Sequence, residues 1–309
     1  MEILLKFGTQ LMNYFTTWEE SLSAIKCVDA GPWSSLWWSD HFLPPYPRAN
    51  LESETALEGW SLITATAVIT ERVKLGVLVT GNTYRNPALL AKMAATVDQI
   101  SNGRLILGIG AAWFKEEHEA FGWEFPSVKE RCDRLEEAVE LIKMLFTADG
   151  PINYNGQYYK LDKAYFSPPC TQKPHIPIMV GGSGEKRTLR TLARFGDIAN
   201  IGLNNPEGTP EMFKHKLEVI ERHCEEFGRD PSEIKKTMAI PLRIFDDEKE
   251  AVQYRKTRGK SWLYGTVPYI INRIQQFIDA GAEEIIFSGI QSKVELFEQV
   301  EDEIISPFS

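Results

Sequence analysis

Short apolar runs alternate along the chain with longer stretches in which apolar residues recur at helical spacing. The run at residues 73–79 is rich in Val and Leu without polar alternation, which is typical of a strand buried on both faces. Residues 130–146 form the clearest amphipathic stretch. This alternation predicts repeated strand–helix units and a parallel sheet. Eight strands are predicted, at residues 4–9, 35–38, 73–79, 104–110, 176–180, 198–201, 236–245 and 285–288.

Helical segments are predicted between and after these strands. Thr17 is suited to cap the first helix, and Pro87 suits the first turn of the helix after the third strand. The pattern breaks at residues 153–166, where Asn155-Gly156 between tyrosines indicates a small inserted hairpin. The predicted helices lie at residues 18–29, 57–70, 87–100, 130–146, 185–195, 210–227, within 248–280, and at 294–305.

Eight such units predict one domain over residues 1–309, an α/β (β/α)₈ TIM barrel with insertions near residues 42–56 and 150–172. The alternative is a doubly wound open sheet. That fold usually has fewer strands and a G-x-G-x-x-G turn after the first one. Residues 7–11, Phe-Gly-Thr-Gln-Leu, do not match that turn.

Composition narrows the class of partner. The net charge of −9 argues against nucleic acid and anionic membranes as main partners and leaves a small-molecule substrate. The N-terminus has no signal-peptide pattern and no window is apolar enough to span a membrane, so a cytoplasmic location is expected. The four cysteines are far apart and are expected to be reduced thiols. No metal site is expected, because the histidines have no zinc spacing, and residues 116–119 are interpreted as a surface helix.

In a (β/α)₈ barrel the active site is built at the carboxyl ends of the strands. The fifth strand is followed by Gly181, Gly182, Ser183 and Gly184. Small residues there let backbone N–H groups approach an anion, and a helix starting at Glu185 would add its positive end, which favours a cofactor phosphate. The alternative is a tight turn with Ser183 as helix cap.

The second strand is followed by Asp40 and His41, two adjacent ionisable groups that can hold and exchange a proton. The alternatives are a capping aspartate and a packed histidine. The third and fourth strands also end in small and polar residues, which are suited to cradle a flat ring or charged cofactor groups, or simply to cap and pack the barrel end. These residues are Thr80, Asn82, Arg85, Gly110, Ala111, Ala112 and Trp113.

Several of these segments, in this order, resemble the luciferase-like monooxygenase superfamily, and within it the coenzyme F420-dependent oxidoreductases. The likeness rests on residues 39–42, 80–92, 101–111 and 181–184, is strongest over residues 73–146, and extends more weakly over the whole chain. The resemblance implies a (β/α)₈ barrel that binds a deazaflavin at its mouth and forms a homodimer.

The resemblance also implies roles for individual residues. Asp40 and His41 would lie near the reactive carbon of the deazaflavin, and a non-proline cis peptide between Leu78 and Val79 would back the ring. Thr80, Gly110, Ala111 and Ala112 would contact the ring or its ribityl chain, and residues 181–184 would hold the phosphate. The implied activity is hydride transfer between coenzyme F420 and an organic substrate, with Asp40 or His41 as the catalytic group that handles a proton.

The chain departs from the family at three positions. Ala112 replaces a usual glycine. The sugar-phosphate dehydrogenase members have a glutamate where this chain has Trp113 and a tryptophan where it has Pro45, which argues against a sugar-phosphate substrate. Alternatives are an FMN-dependent monooxygenase and a non-catalytic flavin-binding barrel. A cofactor-free isomerase or aldolase would need a lysine or paired carboxylates at the strand ends, and the sequence predicts none there.

Overall fold

The computed structural model describes residues 5–45, 56–202, 208–258 and 262–308. Eight parallel strands pair in a closed ring in which the last strand pairs with the first, which confirms the (β/α)₈ barrel. The ring strands are β1 (Lys6–Leu11), β2 (Ser35–Trp38), β3 (Lys74–Val77), β5 (Leu105–Gly110), β8 (Ile178–Gly181), β9 (Ile198–Gly202), β10 (Lys235–Ile244) and β12 (Glu284–Ser288).

Four further strands of the described residues lie outside this ring. The two-residue strand β4 (Thr80–Gly81) pairs with the end of β5, and β11 (Leu263–Gly265) pairs with β10. The strands β6 (Ile152–Asn155) and β7 (Lys160–Ala164) pair antiparallel as the hairpin that the sequence predicts. Backbone N–H groups of the hairpin turn donate to the Glu137 carboxylate, so the hairpin is fastened to a helix on the outside of the barrel.

Helices surround the barrel, and local capping explains where several of them begin. Thr17 caps the first helix through a reciprocal capping box with Glu20, as its position predicts. Asn86 followed by Pro87, and Thr209 followed by Pro210, open two others. No helix of the described ranges is long and apolar enough to cross a membrane. The helices are α1 (Trp18–Ala30), α2 (Gly59–Ile69), α3 (Pro87–Ile100), α4 (Lys115–Ala120), α5 (Val128–Phe146), α6 (Thr188–Phe195), α7 (Pro210–Phe227), α8 (Glu248–Arg258), α9 (Val267–Asp279) and α10 (Val294–Val300).

The structure shifts the bounds of several predicted elements. The first strand lies two residues later than predicted, and the predicted strand 73–79 ends at Val77. The stretch 248–280 is divided by β11 into α8 and α9. The helix predicted from Glu185 begins only at Thr188, three residues later, so its positive end lies farther from the predicted phosphate loop. Of the predicted insertion 42–56, residues 46–55 lie outside the described residues.

Successive residues of the strands face opposite sides of the barrel wall. Leu36 and Trp38 pack outward in the large core between strands and helices, whereas Trp37 between them belongs to a second cluster inside the barrel. The wall therefore has an apolar layer on each side, as is usual in these barrels. The buried residues of the inner cluster are Trp37, Ile106, Met179, Ile198, Ala239 and Ile286.

A buried polar cluster closes the amino-terminal end of the barrel. The carboxylate of Glu284 accepts hydrogen bonds from the hydroxyls of Ser34 (2.8 Å) and Ser35 (2.5 Å) and forms an ion pair with Lys235. The indole of Trp37 donates to Ser35 (2.7 Å), which joins this cluster to the inner apolar layer. Gly8 makes room for the cluster, because a Cβ atom there would lie 2.3 Å from the Ser35 hydroxyl.

Candidate active site

The candidate site lies at the carboxyl-terminal end of the barrel, where the segments after β2, β4, β5 and β8 meet. The backbone N–H of Asn82 donates to the Gly110 carbonyl (2.9 Å), and Arg85 reaches back to Asp40 (2.7 Å). The structure thus brings the residues predicted for the site to one end of the barrel. They are Asp40, His41, Leu78, Val79, Thr80, Asn82, Arg85, Gly110, Ala111, Ala112, Trp113, Gly181, Gly182, Ser183 and Gly184.

The peptide bond between Leu78 and Val79 is cis, as the resemblance implied. The Leu78 carbonyl accepts a hydrogen bond from the side chain of Gln10 (2.8 Å). The Val79 side chain fills a recess between glycines, where added Cβ atoms would lie 2.8–3.1 Å from its methyl carbons. These glycines are therefore required by the packing of Val79, independently of any ligand. They are Gly108, Gly110 and Gly181.

Thr80 and Asn82 place buried polar groups behind the mouth of the barrel. The Thr80 hydroxyl accepts a hydrogen bond from the Trp60 indole (2.9 Å), which leaves its own proton free to donate. The Asn82 amide group donates to the Arg131 carbonyl (3.3 Å) and interacts with the Tyr159 side chain, whereas its Oδ1 finds no donor among the residues that the structure describes. A buried acceptor without a donor costs roughly 1–3 kcal/mol, so Asn82 Oδ1 is suited to accept from a ligand.

Asp40 is buried and held by a cation. Its carboxylate forms a bidentate pair with the Arg85 guanidinium (2.7 and 3.1 Å), and Arg85 also contacts Glu58 (2.5 Å). Burial raises the pKa of the Asp40 carboxyl, and the adjacent Arg85 opposes that rise. Because Arg85 follows β4, this pair ties the segment after β2 to the segment after β4, and only 1% of the Asp40 side chain is exposed.

His41 lies beside Asp40 but faces a different partner. Its Nδ1 lies 3.4 Å from the carboxylate of Glu117, on α4. The same carboxylate accepts hydrogen bonds from the Tyr84 hydroxyl and from the backbone N–H groups of Phe42 and Leu43. Burial raises the pKa of Glu117. The groups that donate to its carboxylate, His41 first, lower this pKa by more than burial raises it, so the carboxylate remains ionised.

Aromatic rings line the side of the site next to His41. Trp113 stacks on Phe114 with ring centres 5.3 Å apart, and it packs edge-to-face with the His41 ring at 5.5 Å. Trp113 is 62% exposed, which is unusual for so large an apolar side chain. Ala112, immediately before it, has a φ of 59°, in the left-handed region that favours glycine. The glycine-to-alanine departure therefore falls on a strained backbone position that aims Trp113 at the mouth.

The loop after β8 keeps backbone donors free. Gly182 has a φ of 130°, which residues with a side chain rarely adopt. Within the described ranges, the N–H groups of Ser183 and Gly184 donate to no protein acceptor. Ser183 does not cap the following helix, because the residue at the cap position of α6 is Arg187. Free amides in a loop that only glycine can form are suited to an anion.

Sequence reasoning missed Glu117. The segment 116–119 lies in a helix at the surface, as predicted, but Glu117 and His118 on the inner side of this helix are fully buried. Their neighbours Glu116 and Glu119 are exposed. In a helix of six residues the apolar periodicity is too short to show which side faces inward. The available signal was position, since Glu117 follows the fourth predicted strand end by seven residues.

The model of the luciferase-like monooxygenase family matches residues 5–306. The chain belongs to this family. Its membership accounts for the barrel and for the order of the motifs at the strand ends.

Relatives within the luciferase-like family carry more specific names. The F420-dependent glucose-6-phosphate dehydrogenase of Amycolatopsis mediterranei (strain U-32) is 28% identical over 304 residues, covering 86% of this chain and 86% of the relative. The enzyme of the same name from Kineococcus radiotolerans is 34% identical over 222 residues, covering 71% and 62%. An F420-dependent secondary alcohol dehydrogenase, solved with an F420–acetone adduct, superposes with a TM-score of 0.83 at 22% identity, covering 98% of each chain.

Proposed function

We propose that this luciferase-like protein is an oxidoreductase that transfers a hydride between coenzyme F420 and an organic substrate. The observation that carries the proposal is the His41 ring at the mouth of the barrel, whose Nε2 is bonded to no group in the described part of the chain. His41 follows β2, which pairs with β3, the strand that Leu78 and Val79 follow. The relatives named for this coenzyme support the choice of deazaflavin.

The residues present fit such a cofactor. Asn82 Oδ1 and the Thr80 hydroxyl offer an acceptor and a donor for the polar edge of a ring. The free amides of Ser183 and Gly184 suit a phosphate. Gly110, Ala111 and Ala112 have no side chain larger than a methyl group, so they leave room for a flat ring against the backbone. When bound, the deazaflavin supplies the carbon that accepts or gives the hydride.

The protein's own part is to position the reactants and move a proton. Hydride removal from an alcohol carbon leaves a hydroxyl proton that a base must take, and ketone reduction needs it returned. His41 is the group for this role because its ring reaches the mouth, with 16% of its side chain exposed. Asp40, buried against Arg85, positions the segment that carries His41.

The walls favour a substrate with an apolar part next to its alcohol or ketone carbon. Trp113 and Phe114 form a stacked aromatic pair beside His41, and no carboxylate occupies the position of Trp113. Contact between an aromatic face and a hydrocarbon group is favourable by about 25 cal/mol for each Å² of apolar surface that is removed from water. A secondary alcohol or ketone carrying an alkyl or aryl group meets these conditions, whereas a sugar phosphate does not.

Cofactor titration tests the proposal. The purified protein is titrated with coenzyme F420 and, separately, with FMN, while fluorescence quenching is followed. We expect saturable binding of F420 that is at least tenfold tighter than binding of FMN, a difference of about 1.4 kcal/mol. Tighter FMN binding would favour an FMN-dependent monooxygenase, and binding of neither would overturn the assignment.

The protein is also proposed to be a homodimer. Exposed apolar side chains on adjacent helices support this, with Val68 of α2 73% exposed and Leu89 of α3 54% exposed. Sedimentation should give the mass of two chains, and Val68→Asp should shift it to one. A wild-type protein that sediments as one chain at micromolar concentration contradicts the dimer.

A cytoplasmic location completes the proposal. All four cysteines are free thiols, which suits a reducing compartment. The side chains of Cys132, Cys170 and Cys224 are buried, so in the folded protein they cannot form disulfide bonds with other molecules. Fractionation of cells that produce the protein, followed by thiol counting under denaturing conditions, tests both points.

A further inference from the structure

The Glu117 carboxylate joins three segments of the site. Its Oε2 accepts from the backbone N–H groups of Phe42 and Leu43, the latter at 2.9 Å, and its Oε1 accepts from the Tyr84 hydroxyl. Phe42 and Leu43 follow β2, Tyr84 follows β4, and Glu117 itself follows β5. A fully buried carboxylate that meets three donors from two other segments fixes the mutual positions of all three.

The fourth group at this carboxylate is the His41 ring. The distance from His41 Nδ1 to Glu117 Oε1 is 3.4 Å, longer than a strong hydrogen bond but within reach of one that tightens when a ligand is bound. The rings of Tyr14, Trp113 and Phe114 surround the imidazole at centre distances of 5.5–6.5 Å and limit its rotation. The ring therefore presents Nδ1 to Glu117 while Nε2 remains without a protein partner among the described residues.

Hydrogen-bond chemistry then decides the tautomer. An ionised carboxylate accepts hydrogen bonds and donates none, so it favours a proton on the nitrogen that faces it. The pKa of Glu117 is lowered by its donors, against the effect of burial, which keeps it an acceptor at neutral pH. With Nδ1 protonated in the neutral ring, Nε2 carries the lone pair.

Resting on the proposed function, we infer that Glu117 is a positioning residue that holds the neutral His41 ring with its proton on Nδ1 and so makes Nε2 the base at the mouth of the barrel. A carboxylate behind an imidazole plays this part in other proteins by fixing ring orientation and tautomer. The role is distinct from proton transfer to substrate, which Glu117 cannot perform because its side chain is enclosed.

Replacing Glu117 by glutamine reverses this preference while keeping the shape. The amide oxygen is expected to stay with the backbone donors of Phe42 and Leu43, which places the NH₂ group toward His41 Nδ1. An amide donor requires a lone pair on Nδ1, so the neutral ring would carry its proton on Nε2 and lose its base at the mouth. Glu116→Gln is the matched control, because it removes the same charge from an exposed position one residue away.

NMR of the imidazole nitrogens tests the inference in the protein without cofactor. The chain has five histidines, and His41→Ala identifies the signal of His41 by its loss. In spectra recorded at a pH at which the ring is neutral, we expect the proton on Nδ1 in the wild type and in Glu116→Gln, and on Nε2 in Glu117→Gln. A wild-type ring protonated on Nε2 would overturn the inference, and this measurement needs no variant that folds poorly.

Kinetics supply the second readout. Glu117→Gln should lower kcat on the order of 10- to 100-fold, as loss of an orienting partner does in metal sites, and leave the Kd of F420 within about twofold. Glu116→Gln should leave both unchanged. Equal kcat in Glu117→Gln and wild type would contradict the positioning role. If F420 fails to bind while wild-type Nδ1 is protonated, the proposed function falls and the arrangement of His41 and Glu117 stands.

Discussion

Both ends of the barrel contain buried carboxylates, but the two ends differ in how completely their polar groups are hydrogen-bonded. At the amino-terminal end, Glu284 has one cation and two hydroxyls, and each of its oxygens is bonded. At the carboxyl-terminal end, two carboxylates share Arg85, and the site retains the unbonded Asn82 Oδ1 and His41 Nε2. A closed polar cluster adds stability and uniqueness, whereas free donors and acceptors are what a ligand needs.

The largest expected effect is a loss of turnover from a change at the carboxyl-terminal end of the barrel, which leaves the amino-terminal end intact. His41→Asn removes the proposed base and should lower kcat by about 10²- to 10⁴-fold, the usual contribution of general acid–base catalysis. The free energy of unfolding should fall by about 1 kcal/mol, because the ring is only 16% exposed and its contacts with three aromatic rings are lost. Turnover with a saturating secondary alcohol and urea unfolding measure the two quantities. Unchanged turnover removes His41 from the mechanism.

Glu284→Gln makes the opposite test. It leaves the Lys235 ammonium without its carboxylate and should destabilise the fold by about 3 kcal/mol, at the low end for a broken buried ion pair because Lys235 keeps some contact with water. The kcat of the folded fraction should stay unchanged. Glu119→Gln, in an exposed pair with Lys115, is the control and should cost under about 1 kcal/mol. A loss of kcat in Glu284→Gln would show that the two ends are coupled.

The pH dependence of stability separates the ends further. The pKa of Glu284 is lowered from its ordinary value of 4.5, because Lys235 and the two serines outweigh the effect of burial. Its ion pair therefore contributes fully above pH 4.5 and is lost as pH falls through the lower pKa of the folded state. Urea unfolding between neutral and acidic pH should show a steeper loss of stability in the wild type than in Glu284→Gln. Parallel curves would contradict this contribution.

Much of the barrel follows from sequence pattern, and much of the site does not. Continuous apolar runs locate the eight strands, and strand ends locate Asp40, His41 and the glycine loop, because a barrel gathers strand ends. Partners distant in sequence are not visible in that pattern. The pairing of Arg85 with Asp40 and of Glu117 with His41 spans 45 and 76 positions, and it depends on how the loops cross above the barrel.

A smaller effect concerns what the mouth selects. Trp113→Ala should raise KM about tenfold for an alkyl or aryl alcohol, since it removes an exposed aromatic face worth roughly 1–2 kcal/mol. It should leave kcat nearly unchanged, because Tyr14, Phe114 and Glu117 still hold the His41 ring. A series of alcohols of increasing chain length checks this. The KM ratio of variant to wild type should grow with chain length, and a constant ratio would exclude Trp113 as a substrate contact.

The smallest effect concerns the departure at Ala112. Its φ of 59° places an alanine where the left-handed conformation costs an L-residue roughly 1–2 kcal/mol. Ala112→Gly removes that strain but adds freedom to the unfolded chain, so a net gain of about 0.5 kcal/mol is expected. Ala111→Gly, at a neighbouring position without positive φ, should destabilise the protein instead.

The same substitution at Ala112 also tests the space for the cofactor. The Ala112 methyl lies beside Gly81, where an added Cβ atom would be 3.1 Å from it, so its removal should leave more room for the proposed ring. Tighter F420 binding in Ala112→Gly would show that this methyl limits the cofactor site, and equal binding would place the ring elsewhere along the mouth.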